Sequence, residues 1–368
     1  MKTIVVSAVN IRKGGTLTIL RNCLEYLSGL AQSGNYRVVA LVHKKDLACY
    51  PGIEYIELPW TIKNWVLRLW CEYVTMYGIS KQLSPVYLWL SLHDTTPNVK
   101  AERRAVYCHN PFSFYPWKWK DLFLNYHIVC FAWFTKYIYR INLHKNFRVL
   151  VQQQWLRENF IRMFHLPRQK VVVTLPAKVN PVPQTMKVAP GTSVYTFLYP
   201  SYGDIHKNFE LLCRAATSLE NEMGIGKFRV ILTLSGKENK YTRMLYKKWG
   251  KTSSLEFAGF MDKQRLYDTY ARADCLVFPS KVETWGLPIS EYAESGKPML
   301  LADLPYTHET AAGSKQTAFF ALNDADGLKD YMRRLVSHDT SFLSAVPELD
   351  IEPPQSSTWG ELFDILLQ

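Results

Sequence analysis

The sequence predicts an α/β protein of two domains, each a mainly parallel sheet with helices on both faces. Three observations predict it. A chain of 368 residues is too long for one ordinary core and defaults to two domains. Short β-rich runs alternate with helical-period runs through both halves, the pattern of parallel strands joined by crossover helices. Between the halves, Pro176, Pro181, Pro183 and Pro190 punctuate a polar stretch that reads as a linker.

In the first half, residues 3–9 are a β-rich run and residues 10–15 a loop ending in Gly14-Gly15. Leu17, Leu20, Leu24 and Leu27 then recur at helical spacing. Residues 37–43 and 53–58 read as the next strands. Ile62, Trp65, Val66, Leu69, Trp70, Tyr73 and Val74 repeat at i, i+3, i+4 and i+7, which marks an amphipathic helix. Residues 86–90, 105–108, 147–151 and 170–175 supply further strands. Residues 122–141 are rich in Phe, Tyr, Trp and Ile, but Asn125, His127, Lys136 and Arg140 interrupt them. A spanning helix wants about 20 predominantly apolar residues, so a buried or interfacial helix is expected there.

After the linker the alternation restarts. Residues 194–200, 228–234, 255–258, 275–278 and 298–302 read as strands, and residues 207–219 and 262–272 as helices. Residues 288–294 form a short helix, opened by Pro288 and ended by Gly296 and Pro298. Residues 356–367 read as a final helix.

Composition narrows the function classes. The seven cysteines are scattered, form no CxxC pair and are odd in number. That argues against a disulfide framework or a Cys-based zinc site and for a reducing compartment. The opening MKTIVVSAVN runs straight into a strand without the features of a signal peptide, so a cytosolic protein is expected. Charge is one-sided: residues 1–180 carry 24 Lys and Arg against 9 Asp and Glu, residues 181–368 carry 20 against 23. A basic half suits an anionic partner, whether nucleic acid, a membrane surface or a phosphorylated substrate. The Gly-x-Ser-x-Gly, H-E-x-x-H and P-loop patterns do not occur. Asp324-Ala-Asp326 lies late, beside a helix start, and is not placed like a metal-binding pair.

The most informative stretch is Phe278-Pro-Ser-Lys-Val-Glu-Thr-Trp-Gly-Leu-Pro-Ile-Ser-Glu291. Glu283 falls in the loop after a strand and Glu291 in the first turn or so of the next helix. Gly286 between them lets backbone approach a ligand. The helix N-terminus offers unpaired N–H groups and a positive dipole end, a seat for a diphosphate. In open α/β sheets ligands bind outside the carboxyl ends of strands, where this loop lies. Two carboxylates beside an anion seat make sense if they accept hydrogen bonds from sugar hydroxyls. Lys207, in His206-Lys-Asn-Phe-Glu210, stands in a first helical turn, where the dipole disfavours a cation; that cost suggests a functional charge.

This string resembles the E-x7-E motif of retaining glycosyltransferases of the GT-B fold, in particular glycosyltransferase family 4, the glycosyl transferases group 1. Phe257-Ala-Gly-Phe-Met, Ala273-Asp-Cys-Leu-Val-Phe-Pro-Ser-Lys281 and Gly296-Lys-Pro-Met strengthen the likeness. It covers roughly residues 194–340 closely and the first half more loosely. The resemblance implies two Rossmann-like domains facing each other across a cleft: an acceptor domain over residues 1–180, a donor domain over 181–355, and a helix over 356–368 packing back on the first domain. It implies that Glu283 contacts the donor sugar and Glu291 the nucleotide ribose. Lys207 and the backbone of Thr284, Trp285, Gly286 and Leu287 would hold the diphosphate, with Ser201, Lys281, Gly259 and Phe260 around the same donor. Gly14 and Gly15 resemble the family's first glycine-rich loop, although an ordinary tight turn explains them as well. His109, in Tyr107-Cys-His-Asn-Pro111, resembles the His near the transferred sugar; holding the turn before Pro111 is the equal alternative. His93 and Asp94 are expected only to line the acceptor side.

The sequence departs from the family at one point. An Arg is usual a few residues before the lysine, but residues 200–206 contain none and Asp204 stands there. Arg265 and Lys281 are the candidates to replace it. The expected activity is metal-free transfer of a sugar from a nucleoside-diphosphate sugar to a hydroxyl, with a lipid-linked saccharide as acceptor. The basic half and the aromatic stretches 60–77 and 114–141 would meet an anionic membrane surface, unless both helices face the core. Nucleic acid is not expected as a partner. A nucleotide-sugar epimerase of the same fold and a catalytically inactive scaffold are the other readings.

Overall fold

The computed structural model describes residues 1–175 and 194–368. The linker expected around Pro176, Pro181, Pro183 and Pro190 lies outside the described residues. The strands are β1 (Lys2–Ala8), β2 (Tyr36–Val42), β3 (Ile53–Glu57), β4 (Leu88–Ser91), β5 (Arg103–Cys108), β6 (Arg148–Val151), β7 (Val171–Thr174), β8 (Tyr195–Tyr199), β9 (Phe228–Leu232), β10 (Leu255–Phe257), β11 (Cys275–Phe278), β12 (Met299–Ala302), β13 (Thr317–Phe320) and β14 (Gln355–Ser356). They form two sheets, in the orders β14-β7-β6-β5-β4-β1-β2-β3 and β10-β9-β8-β11-β12-β13. Neighbouring strands in both are parallel. The expected α/β architecture of two helix-covered parallel sheets is therefore present.

The chain divides into two compact units. One is Met1–Ser113 with Phe134–Ala177 and Ile351–Gln368; the other is Phe114–Trp133 with Lys178–Asp350. Residues 114–133, read from sequence as part of the first half, group with the second unit. There the Tyr115 ring meets His206 edge-on at 6.4 Å, and Lys240 Nζ donates to the Phe123 carbonyl at 2.8 Å. The helix Trp119–Arg140 is broken at Asn125, whose φ of −157° and ψ of 85° are not helical.

In the first unit, successive side chains of β1 point to opposite faces and so build two cores. Ile4, Val6 and Ala8 pack with Leu20, Cys23, Leu24 and Leu27 of the helix Gly14–Gln32 and with Leu362, Phe363 and Leu366 of the helix Trp359–Leu367. Fully burying such side chains stabilises by about 1.5–3 kcal/mol each. The last carbonyls of that C-terminal helix are met by Tyr87 Oη (2.8 Å to Leu367 O) and Arg103 Nη1 (3.2 Å to Leu366 O). A cation there also suits the negative end of the helix dipole.

On the other face, Val5 and Val9 pack with Cys71 and Met76 of a helical run. The run comprises Trp65–Trp70, a π turn Cys71–Thr75 and Met76–Gln82, and Asn64 caps it by accepting from the Leu67 N–H at 2.9 Å. Its tryptophans do not take the core-facing orientation that the sequence offered as the alternative. Trp65, Val66, Trp70 and Val74 are exposed, whereas Glu72 is fully buried.

Glu72 is tolerated because the fold satisfies it. Arg68 Nε donates to Oε1 at 2.9 Å, Thr95 Oγ1 to Oε2 at 2.7 Å, and His93 Nδ1 lies 3.3 Å from Oε1. His93 Nε2 in turn lies 3.0 Å from Ser7 Oγ and 3.2 Å from Ser91 Oγ. Burial pushes the Glu72 carboxyl up, but His93 and Arg68 outweigh it and hold it at about 2. Because the folded value is depressed, the stability it contributes is present above the unfolded value of about 4.3 and is lost as pH falls toward the folded one. We expect Glu72→Ala to cost about 3–5 kcal/mol, since it strands a half-buried guanidinium. The wild-type advantage over Glu72→Gln should shrink on acidification through that window in urea-unfolding curves; parallel loss in both proteins would refute the assignment.

Candidate active site

The strand orders place two switch points, where strands diverge to either side and a crevice opens at their carboxyl ends. In the second unit this point lies between β8 and β11. The loop after β8 carries Ser201 to Lys207, and the loop after β11 carries Ser280 to Gly286.

Hydrogen bonds fix the two loops to each other and to their surroundings. Ser201 N–H donates to Thr233 Oγ1 at 2.8 Å, and that hydroxyl donates back to the Ser201 carbonyl at 3.0 Å. Lys281 N–H donates to the His206 carbonyl at 2.8 Å, and Lys281 Nζ to the Ile205 carbonyl at 3.3 Å. Tyr199 Oη donates to the Lys207 carbonyl at 2.7 Å and Tyr306 Oη to the Ser280 carbonyl at 2.8 Å. Lys207 does not open the helix as expected. It ends a short 3-10 turn, Ile205–Lys207, and Asn208 at φ 56° hands the chain to the helix Phe209–Met223.

This framework brings Lys207 and Glu283 together: Lys207 Nζ donates to Glu283 Oε1, and Ser280 Oγ donates to the same oxygen at 2.9 Å. Both charged side chains are mostly enclosed, 13% and 15% exposed. Water therefore screens the pair less than it would on the surface. Asp204 joins the cluster. Burial pushes its carboxyl up; Lys207 opposes this and Glu283 adds to it. Lys281 Nζ stands 4.0 Å from Glu210 Oε1, so an acid adjoins each of the two lysines at the switch point.

Beyond Glu283, Thr284 and Trp285 are half-buried. Trp285 Nε1 donates to Ser290 Oγ at 3.2 Å, and Thr310 Oγ1 donates to the Trp285 carbonyl. Gly286 has φ +85°, and a Cβ there would stand 3.2 Å from Ile289 Cδ1. The position thus demands glycine on conformation and on space. Leu287 is exposed and opens the helix Leu287–Ala293.

Glu291 falls in the second turn of that helix and is occupied by tyrosines. Tyr270 Oη donates to Oε2 at 3.0 Å and Tyr267 Oη to Oε1 at 3.5 Å. Burial raises the Glu291 carboxyl, against Tyr270, Lys263 and Tyr267. Tyr267 and Tyr270 lie on the helix Lys263–Arg272, and sequence reasoning missed them; their i, i+3 spacing on one helix face was the available signal. Lys297, of the Gly296-Lys-Pro-Met string, caps that same helix: Nζ donates to the Ala271 and Ala273 carbonyls at 2.7 Å each. Gly259, at φ +76°, donates its N–H to the Leu234 carbonyl at 3.2 Å, and Phe260 beside it is exposed. Arg265 is exposed on the same helix as the tyrosines.

In the first unit the switch point lies between β1 and β4. Gly14 and Gly15 fall in the first turn of their helix rather than in a loop, and Gly14 adopts φ +71° with open space where a Cβ would be. His93 is the buried partner of Glu72, and Asp94, at φ 71°, accepts from the His109 N–H. His109 Nε2 lies 3.1 Å from the Leu92 carbonyl, which can only accept, so Nε2 carries the proton. Its ring packs 4.3 Å from Tyr107, and burial lowers its basicity. Among the described residues no group of three or more His, Cys, Asp or Glu is arranged to hold a metal ion.

Known proteins resemble this chain. Residues 187–344 match the family described as glycosyl transferases group 1. The chain is 22% identical over 200 residues to the O-antigen chain mannosyltransferase B of Escherichia coli, covering 52% of each; it thus spans about half the length of that curated relative. Among solved structures, the apo lipopolysaccharide outer core galactosyltransferase WaaB is matched at TM-score 0.62 and 12% identity, over 100% of this chain and 99% of that one. Anabaena HepE in complex with UDP and glucose is matched at TM-score 0.64 and 12% identity, over 93% and 92%. Sucrose-phosphate synthase from Thermosynechococcus elongatus is matched at TM-score 0.63 and 13% identity, over 100% and 95%. At such identity these structures establish the fold, which is GT-B.

Proposed function

We propose that this chain, a glycosyltransferase by its group 1 domain over residues 187–344, is a retaining, metal-free enzyme of family 4. It moves a sugar from a nucleoside-diphosphate sugar to a hydroxyl of a lipid-linked saccharide in lipopolysaccharide or O-antigen synthesis. The observation that carries the reading is the meeting of Lys207 with Glu283 at the carboxyl ends of β8 and β11.

In this reading the bond from the anomeric carbon to the diphosphate oxygen breaks with its electron pair leaving on the diphosphate. Lys207 neutralises that developing charge, with the backbone of residues 284–287 beside it. The acceptor oxygen attacks from the same face, and its proton passes to the departing diphosphate. Glu283 accepts hydrogen bonds from the sugar, and Glu291 turns from its tyrosines to the ribose. UDP and glucose in HepE favour a nucleotide-sugar donor. The names of the mannosyltransferase and galactosyltransferase relatives favour a surface saccharide as acceptor. The basic first half favours work at an anionic membrane face in the cytoplasm.

A panel of sugar nucleotides, each incubated with and without lipid-linked saccharide and with and without EDTA, tests the proposal. The expected result is one donor consumed only with acceptor, equally in EDTA. Loss in EDTA restored by magnesium would overturn the metal-free part, donor interconversion without acceptor would indicate an epimerase, and no turnover of any donor an inactive scaffold. Asp204 in place of the family's Arg is the observation that keeps the last reading in the test.

A further inference from the structure

The helical run Trp65–Gln82 is built inside out. Between positions 65 and 77 its exposed residues are Trp65, Val66, Trp70, Val74 and Tyr77, while its one acid, Glu72, is buried. Val66 is 74% exposed and Trp70 59%. A stripe of this kind is paid for by leaving large apolar surface in water, and soluble proteins rarely present one without an occupant. A second stripe lies in the same unit, where Phe134, Tyr137 and Ile141 are exposed and Tyr139 on the inner side is buried.

Cations rim the first stripe. Lys81 lies over Tyr77 at 4.4 Å from the ring centre, and Arg68, already paired with Glu72, stacks on the Trp65 ring at 4.8 Å. Lys63 and Lys81 are exposed at the two ends. Trp and Tyr favour the headgroup level of a bilayer, and Lys and Arg favour its anionic surface. A second copy of the chain would bring the same positive half against itself, which like charges oppose. No described helix is long and apolar enough to cross a membrane.

We propose that this face lies in the plane of an anionic bilayer, with Trp65, Val66, Trp70 and Val74 seated at the boundary of headgroups and acyl chains. This deepens the membrane part of the function proposed above and rests on it. It differs from simple charge attraction in one consequence: part of the binding resists salt, because apolar burial is not screened while exposed charge pairs are.

Flotation of the full chain with phosphatidylglycerol–phosphatidylcholine vesicles, at low and high salt, tests the proposal. Wild type is expected to float at low salt and in part at high salt. Val66→Glu with Trp70→Glu should lower partitioning roughly tenfold or more at both salts. Lys63→Gln with Lys81→Gln should lower it only at low salt, by roughly fivefold per cation. These sites are exposed, and thermal unfolding checks that each variant folds. Absence of flotation, flotation that vanishes wholly in salt, or equal flotation of the glutamate variant would overturn the proposal. So would a wild-type dimer that the glutamate variant dissolves, since the stripe would then face a second copy. Transfer to a soluble saccharide is measured alongside and should be unchanged in the variants. Intact flotation without any transfer would sink the enzymatic reading and leave the interface standing.

Discussion

Lys207→Ala is expected to lower glycosyl transfer by on the order of a hundredfold or more, as removal of one preorganised stabilising group does elsewhere, and to weaken nucleoside-diphosphate binding roughly tenfold. Two effects act together. The departing diphosphate loses its nearest cation, and a charge-assisted hydrogen bond of this kind is worth about 1.5–3 kcal/mol. Glu283, 85% enclosed with Lys207 as its ion-pair partner, is left a carboxylate facing an incoming anion. Lys207→Arg should recover only part of the rate, because a planar fork does not reproduce a compact point charge. Isothermal titration with UDP and GDP, beside initial rates, checks both quantities. Unchanged nucleotide affinity in Lys207→Ala would put the diphosphate elsewhere.

Glu283→Gln is expected to split the two quantities. The amide keeps the shape but removes the anion that occupies Lys207, so nucleoside-diphosphate affinity should rise several-fold while turnover falls by on the order of a hundredfold. A loss confined to turnover identifies an interaction made in the transition state. Asp204→Asn provides the contrast. It also removes a carboxylate beside Lys207, so it should share the gain in affinity without the loss in turnover. Its wild-type carboxyl, pushed up by burial, should make nucleotide binding weaken as pH rises and it ionises, and Asp204→Asn should flatten that slope. A fall in affinity for Glu283→Gln would mean that the glutamate supports the nucleotide rather than competing for the lysine.

The candidate site was partly legible. The glutamates of the 278–291 string could be placed on a loop and a helix because strand, glycine, proline and helix signals are local. Asp204 was visible as a departure, though not the company it keeps. The resemblance gives Glu291 to the ribose; the tyrosines that hold it come from the preceding helix, and nothing in the local pattern of residues 287–293 points to them. Chain position puts residues 114–133 in the first half, yet they group with the second unit through contacts such as Lys240 to the Phe123 carbonyl.

By itself, the sequence determined the strand–helix alternation and the chemistry at each loop, since both depend on neighbours within a turn or a pleat. Sheet order is a different kind of information. Lys207 and Glu283 are 76 residues apart and meet because β8 and β11 pair, a choice made by the packing of the whole second unit. The run from Trp65 to Val74 makes the same point more sharply. Its period announced an amphipathic helix, and a helix was found. Period tells which residues share a face, but not which face meets the sheet. Here Cys71 and Met76, with Glu72 satisfied by Arg68, His93 and Thr95, took the inner side. A buried carboxylate with three partners lets the helix turn its tryptophans outward, and only the tertiary structure supplies those partners.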